Sequence, residues 1–467
     1  MDSLLINSQS EEAFRGRFVV PGDKSIEQRA LVMASMAEGT SYIEGVSPAL
    51  DCASMIQVLR QLGADIKSCG TDTLSVCGWG AVGPRTDVDE PLDCGNSGTC
   101  MRLVAGLLAV GSGVYTLVGD SGLSQRSMRD LADVLAMFGA KVEFLGADGC
   151  APIRITGSRW KDPNKSEPTS VTTEWESIKI DLTTSSAQLK TSAMLASLAR
   201  GNVRLVLTEP FKSRDHSELL FRSLGLNVIE RDLPNGLHRV VLNVKTNNVQ
   251  SFKYKLYGDS SSAAFLIALA VLKPHSHMVV DSLCINPTRM GFFMALKRMN
   301  ATICARYTNK YRGEMIGGIT ADYSHLRGVE IAPSEVPLCL DEIPLLAVVA
   351  SRARGITKVR GAAQLRTKEC DRISDTLHEL AKLGVKYEEY PDGFDIMGLS
   401  PDAKSSEYPA SSEALIHLDA HGDHRLAMSL GVAACICRRP VELTGAGLVG
   451  ISFPNFWTIL REARVLR

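Results

Sequence analysis

Neither sign of charge is in excess in this sequence: 51 lysines and arginines stand against 52 aspartates and glutamates, a formal net charge of −1. No global field draws the chain to nucleic acid or a membrane surface, so any anionic ligand must be held by local clusters. Long hydrophobic runs are missing too. Phe265 to Leu272 is among the longest, far short of the roughly 20 residues of a membrane span. Residues Met1 to Arg17 include acids and lack the apolar core of a signal peptide. The twelve cysteines contain no Cys-x-x-Cys pair, which argues against a zinc site or disulfide framework and for reduced thiols. A soluble, non-secreted, cytoplasmic protein is expected, with neither nucleic acid nor membrane as partner.

At 467 residues the chain exceeds one ordinary core, and two domains of roughly 200 residues are expected. A composition of 45% hydrophobic and 22% charged residues is that of a globular protein.

One unit recurs. A polar start opens an apolar helical run at Gly22-Asp23-Lys24-Ser25, Gly95-Asn96-Ser97-Gly98, Ser185-Ser186-Ala187-Gln188, Gly258-Asp259-Ser260-Ser261, Asp341-Glu342 and Gly422-Asp423-His424-Arg425. A second helix then closes on a glycine before an alternating strand, at Gly63, Gly139, Gly225 and Gly384. Asn300 takes that place in the fourth unit, and asparagine also tolerates the left-handed cap conformation. The spacing of 75 to 86 residues suits a βαβα-type module rather than a solenoid turn. Six modules divide into two domains of three, with the boundary near Val244 to Lys253. The strand around Leu4 to Ile6 is expected to join the second domain. The polar stretches Trp160 to Trp175 and Ser400 to Ala414 read as loops or hairpins within modules.

A helix N-terminus exposes unpaired N–H groups and partial positive charge, and so attracts anions. The starts carry Lys24, Ser25 and Arg29; Asn96, Ser97, Thr99 and Arg102; Ser185, Ser186, Gln188 and Lys190. Aspartate, serine and asparagine are also ordinary caps, but a basic residue one turn in adds an anion-binding reading. Three such helices running parallel put their positive ends on one face, and two such faces make a cleft for a multiply anionic ligand. Arg126 and Arg214, taken singly, read as solvated surface arginines. Asp341 opens the fifth helix, where the dipole favours its charge and lowers its pKa. Glu369 stands beside Lys368, Asp371 and Arg372; it is either a proton-transfer group or one member of a structural ion-pair cluster.

In consistent order along nearly the whole chain, these segments resemble the 5-enolpyruvylshikimate-3-phosphate synthase (3-phosphoshikimate 1-carboxyvinyltransferase) family. The segments are Pro21 to Ile26, Asp93 to Thr99, Ser186 to Lys190, Ser213 to Glu218, Gly258 to Phe265, Asn286 to Arg289, Asp341 to Pro344, Leu365 to Ile373, Asp423 to Met428 and Ser452-Phe453-Pro454. The resemblance implies an α/β (α+β) fold of two similar three-module domains, with helices converging on an interdomain cleft. Residues 1–20 with 246–467 would carry the acid/base residues and phosphoenolpyruvate arginines, and residues 21–245 most shikimate 3-phosphate contacts. It implies that Lys24, Ser25, Arg29, Ser186, Gln188, Arg214, Asp341 and Lys368 hold shikimate 3-phosphate. Lys24, Asn96, Gly98, Arg126, Gln188, Arg372 and Arg425 would face phosphoenolpyruvate. Asp341 would take the 5-hydroxyl proton, Glu369 would protonate the methylene carbon, and Lys24 would sit between both ligands. Neither residues nor resemblance calls for a metal or cofactor, and a monomer acting on small-molecule substrates is expected. Space beside Arg126 at Gly98 implies inhibition by glyphosate.

The chain departs from the family pattern in places. Glu27 and Gln28 follow Ile26 where Ser and then His or Asn are usual; Glu27 is expected in solvent. Ser127 follows Arg126 where proline is common, and Gly450-Ile451 precede Ser452 where many members carry a lysine. These differences leave open a relative acting on a modified shikimate. The related enzyme for a UDP-amino sugar is disfavoured by the Asp-His-Arg segment. A non-catalytic binding homologue is opposed by retention of Lys24, Asp341, Glu369 and all three phosphoenolpyruvate arginines.

Overall fold

Side chains, more than any other feature, set where the repeated helices begin. The computed structural model describes residues 3–7, 12–158, 175–398 and 414–466; most of the two polar stretches, 160–174 and 400–413, lies outside them. The six repeat-opening helices are α1 (Lys24–Met36), α2 (Gly98–Leu108), α3 (Ala187–Arg200), α4 (Ser260–Leu272), α5 (Ile343–Ala350) and α6 (His424–Ile436). Asp23, Ser97, Ser186, Asp259 and Asp423 each accept a backbone N–H from the first turn of the helix they precede. Only α5 is entered differently, from a 3-10 turn over Leu340–Glu342, with Pro344 in its first turn where no N–H is needed. Every residue of α4 and of α5 is buried; a helix apolar on all sides must be surrounded.

The second helix of each module stops where the chain turns left-handed. Gly63, Gly139, Gly225 and Gly384 have φ of 104°, 79°, 86° and 84°, and Asn300 has φ of 70°. In the sixth module the helix Phe456–Glu462 is followed by Arg464 at φ 56°. Arginine has no preference for that conformation, so the sequence pattern misses this end.

Among the described residues, five four-stranded sheets share one order. In the third module Glu176–Asp181 runs parallel to Val203–Glu209, which pairs antiparallel with His238–Val244, itself antiparallel to Asn227–Asp232. The parallel pair needs a crossover, and α3 supplies it. Two modules take their opening strand from elsewhere in the chain. Lys253–Lys255 lies parallel to Thr40–Glu44, and Arg15–Phe18 lies parallel to His277–Cys284. The sixth sheet has three described strands, with the N-terminal Ser3–Ile6 beside Val441–Thr444.

The chain divides into two compact units, one of residues 22–256 and one of residues 1–21 with 257–467. The sequence reading put the boundary at 245/246. Residues 249–250 and 253–255 instead pair with 37–38 and 40–44, which keeps the chain in the first unit as far as Leu256. All twelve cysteines are free thiols. Among the described residues no helix is long and apolar enough to cross a membrane.

Candidate active site

In the unit of residues 1–21 and 257–467, one buried guanidinium organises the acids. Arg372 precedes the helix Ser374–Lys382, at whose entry the N–H groups of Ile373 and Ser374 donate to Asp371 Oδ1. Its Nε meets Asp423 Oδ2 at 2.6 Å, Nη2 meets Glu369 Oε2 at 2.7 Å and Nη1 meets Asp341 Oδ1 at 3.4 Å. Burial works against the Arg372 charge, but the carboxylates of Asp423, Glu369 and Asp341 outweigh it and hold the pKa far up. Asp371, the other acid of the segment, turns to Arg366 at 2.7 Å. The Glu369 side chain is 8% exposed and that of Asp341 21%, so Asp341 is the more open to a ligand.

The three helix starts of this unit meet around Arg425. From the first turn of α6 its Nη1 donates to Ser261 Oγ in the first turn of α4 at 2.9 Å. Nη1 also lies 3.7 Å from Glu342 Oε1 and Nη2 3.9 Å from Asp341 Oδ2, both at the entry to α5. The Ser261 hydroxyl donates to Glu342. Ser261 and Glu342 lie within quoted motifs, yet neither is among the expected site residues; only their mutual contact marks them. Lys368 is half-buried on the same segment as Glu369.

In the unit of residues 22–256 the first turns of α1, α2 and α3 are likewise tied together. Ser97, the cap of α2, donates to Gln28 of α1 at 3.2 Å. Arg29 of α1 reaches Thr191 of α3 at 3.1 Å and Ser217 at 2.7 Å. Gln188 of α3 accepts from Arg102 of α2 at 3.1 Å and donates to Thr99 at 2.8 Å. Three N-termini therefore share one end, where positive partial charges add. At that end Lys24 Nζ pairs with Asp51 at 2.5 Å, and Asn96 donates to Asp120 at 2.8 Å. Ser25 and Ser186 sit at the openings of α1 and α3, and Arg214 is half-buried just before the helix His216–Ser223.

Four expectations need correction. Glu27 is fully buried rather than solvated; it accepts the Ser47 N–H at 2.7 Å, and desolvation pushes its carboxyl up to about 8. Gly98 leaves no open space: a β-carbon there would lie 2.7 Å from Arg102 Nη1 and 2.8 Å from Arg126 Cζ. Arg126 is buried, not solvated. Lys190 lies in the core between Glu209 at 2.8 Å and Glu218 at 2.7 Å, with all three side chains fully buried. Burial pushes its pKa down, and Glu218 and Glu209 more than reverse this, so it stays charged and occupied. Where a lysine is common, Ile451 ends a 3-10 turn and is buried.

Comparison with known proteins accords with this geometry. Residues 9–460 match the family model described as EPSP synthase (3-phosphoshikimate 1-carboxyvinyltransferase). A protein of Caldicellulosiruptor saccharolyticus named 3-phosphoshikimate 1-carboxyvinyltransferase is 34% identical over 458 residues, covering 97% of this chain and 98% of its own. The solved EPSP synthase of Acinetobacter baumannii superposes with a TM-score of 0.79 at 31% identity, covering 99% of this chain and 98% of its own. The enolpyruvyl transferase NikO of Streptomyces tendae has a TM-score of 0.69 at 18% identity over 99% and 98% of the two chains, a likeness of fold alone.

Proposed function

The chain belongs to the EPSP synthase (3-phosphoshikimate 1-carboxyvinyltransferase) family, and from that premise we propose that it transfers the enolpyruvyl group of phosphoenolpyruvate to the 5-hydroxyl of shikimate 3-phosphate, releasing phosphate in the synthesis of chorismate and the aromatic amino acids. The observation that carries the reading is the sharing of Arg372 by Asp341 and Glu369. It puts a more open and a less open carboxyl beside one fixed positive charge.

On this reading Asp341 accepts the hydroxyl proton as the oxygen adds to the enol carbon, and Glu369 delivers a proton to the methylene carbon. The resulting tetrahedral adduct expels phosphate and loses a proton from the new methyl group, restoring the enol ether. Lys24, Ser25, Arg29, Ser186, Gln188, Arg214, Asp341 and Lys368 hold shikimate 3-phosphate. Lys24, Asn96, Gly98, Arg126, Gln188, Arg372 and Arg425 hold phosphoenolpyruvate. These roles require groups from both units to reach the same pair of substrates. Oriented guanidinium and amide donors stabilise the charge that builds on the adduct without reorganising. Arg372 and Arg425 reach their carboxylate partners in advance, so each is preset in position. With Ile451 in place of a lysine, phosphoenolpyruvate is held by one cation fewer.

We place the protein in the cytoplasm as a monomer, a compartment its twelve free thiols suit. The test is phosphate release by the purified chain. Release from phosphoenolpyruvate that depends on shikimate 3-phosphate, together with growth of a strain unable to make aromatic amino acids, is the expected result. No release with both substrates present would overturn the assignment and leave a binding homologue.

A further inference from the structure

The sheet of the third module has two unlike faces. Ile178, Ile180, Leu205, Leu207, Val240 and Leu242 are buried, so their neighbours along each strand point outward. On that outer face Arg204 lies opposite Ser177 and Asn243, Val206 opposite Lys179 and Val241, and Thr208 opposite Arg239. The face borders an open hollow of about 710 Å³, lined by Lys179, Arg204, Arg239 and Lys245 together with Trp175 and Asn243. No carboxylate is among its described lining residues.

A basic patch on a surface sheet is ordinarily solvated, with acids interspersed. Here four of the five acids of the four strands are paired elsewhere, and the fifth lines a different hollow. Glu176 pairs with Arg200, Glu209 with Lys190, Glu230 with Lys212 and Arg222, and Asp232 with His238. Asp181 opens on a separate hollow beside Asp130 and Asp133. Arg239 Nε is buried and, among the described residues, has no acceptor. A buried donor left unpaired is costly and calls for a partner. The hollow has the volume of a single small-molecule site, about 300–1,000 Å³, rather than of a track for a polymer.

We propose that this hollow binds a small, multiply phosphorylated anion bearing a flat ring, of the nucleoside di- or triphosphate class. Lys179, Arg204, Arg239 and Lys245 take phosphate oxygens. Trp175 presents a stacking face, and Asn243 hydrogen-bonds the ring or sugar. None of these residues is assigned to the enolpyruvyl substrates, so the site stands or falls independently of the proposed reaction.

The experiment is calorimetric titration of the full chain with ATP and, separately, inorganic tripolyphosphate, with shikimate 3-phosphate in excess to occupy its own anion positions. One saturable site for both probes is expected, weakening as salt is raised. The R204A/R239A double variant should bind each probe at least about tenfold more weakly, and Trp175→Ala should weaken ATP but not tripolyphosphate. If circular dichroism shows that double variant misfolded, K179Q/K245Q, altered only at exposed lysines, takes its place. Absence of saturable binding, or affinity unchanged in the folded double variant, overturns the proposal. Tight binding of a single-stranded oligonucleotide without binding of either small probe does so as well.

Discussion

Asp341 and Glu369, 28 positions apart in sequence, grip the same guanidinium, with Arg372 Nη1 at 3.4 Å from one and Nη2 at 2.7 Å from the other. A single buried arginine thus sets the separation and orientation of the two acids to which proton transfer is assigned. Glu369→Gln keeps an oxygen able to accept from Arg372 but cannot deliver a proton to carbon. We expect kcat to fall by about a hundredfold or more with little change in either KM. Steady-state kinetics decide it, and near-normal turnover would remove Glu369 from the mechanism.

Asp423 does two jobs from a fully buried position: it caps α6 through the N–H groups of Arg425 and Leu426, and it anchors Arg372. Asp423→Ala leaves a buried arginine short of its strongest partner and should cost about 3–5 kcal/mol in urea unfolding. Asp423→Asn restores the cap and should recover about 1 kcal/mol of that loss. Equal stability of the two variants would refute the split between cap and anchor.

Burial raises the Glu27 carboxyl from 4.5 to about 8. Between those values the folded chain holds a proton that the unfolded chain has released, so stability falls as pH rises through this window and levels off above it. The slope is roughly 1 kcal/mol per pH unit. Glu27→Gln, which keeps an acceptor for Ser47, should flatten the profile and stabilise the protein increasingly from pH 5 to pH 8, an interval set by the same linkage argument. Parallel profiles for the two proteins would show that Glu27 ionises normally.

Because the Gly98 backbone lies against the guanidinium groups of Arg102 and Arg126, Gly98→Ala must move at least one of them. Phosphoenolpyruvate KM should rise by about tenfold. An unaltered KM would place Arg126 away from the phosphoenolpyruvate site.

Lys190 supplies a contrast. Removing its charge strands Glu209 and Glu218 in the core, so Lys190→Met should destabilise by about 3–5 kcal/mol while leaving the substrate KM values of the folded fraction unchanged. A raised KM without loss of stability would return Lys190 to the site.

Much of the fold was legible because its signals are local. A capping aspartate or serine, an apolar run, and a glycine or asparagine at the left-handed closing position depend on a few neighbouring residues, and they recur at steady spacing. The sixth closing position, Arg464, went unread because nothing in an arginine announces φ of 56°. The site was legible only in its parts. Asp341, Glu369, Arg372 and Arg425 stand out by type and motif, but Ser261 and Glu342 acquire significance only through contact with Arg425.

What the sequence determined alone was the inventory: six helix starts, five of them with a capping side chain, the alternating strands, and the acids and cations at those starts. Tertiary structure decided which of those charges face one another. Glu27 reads as a solvated group and Lys190 as an anion-binding one near a helix start, yet both are interior, one largely neutral at pH 7 and one paired with two glutamates. Burial depends on what packs from distant parts of the chain, and the solvation of a charge follows burial, not sequence position.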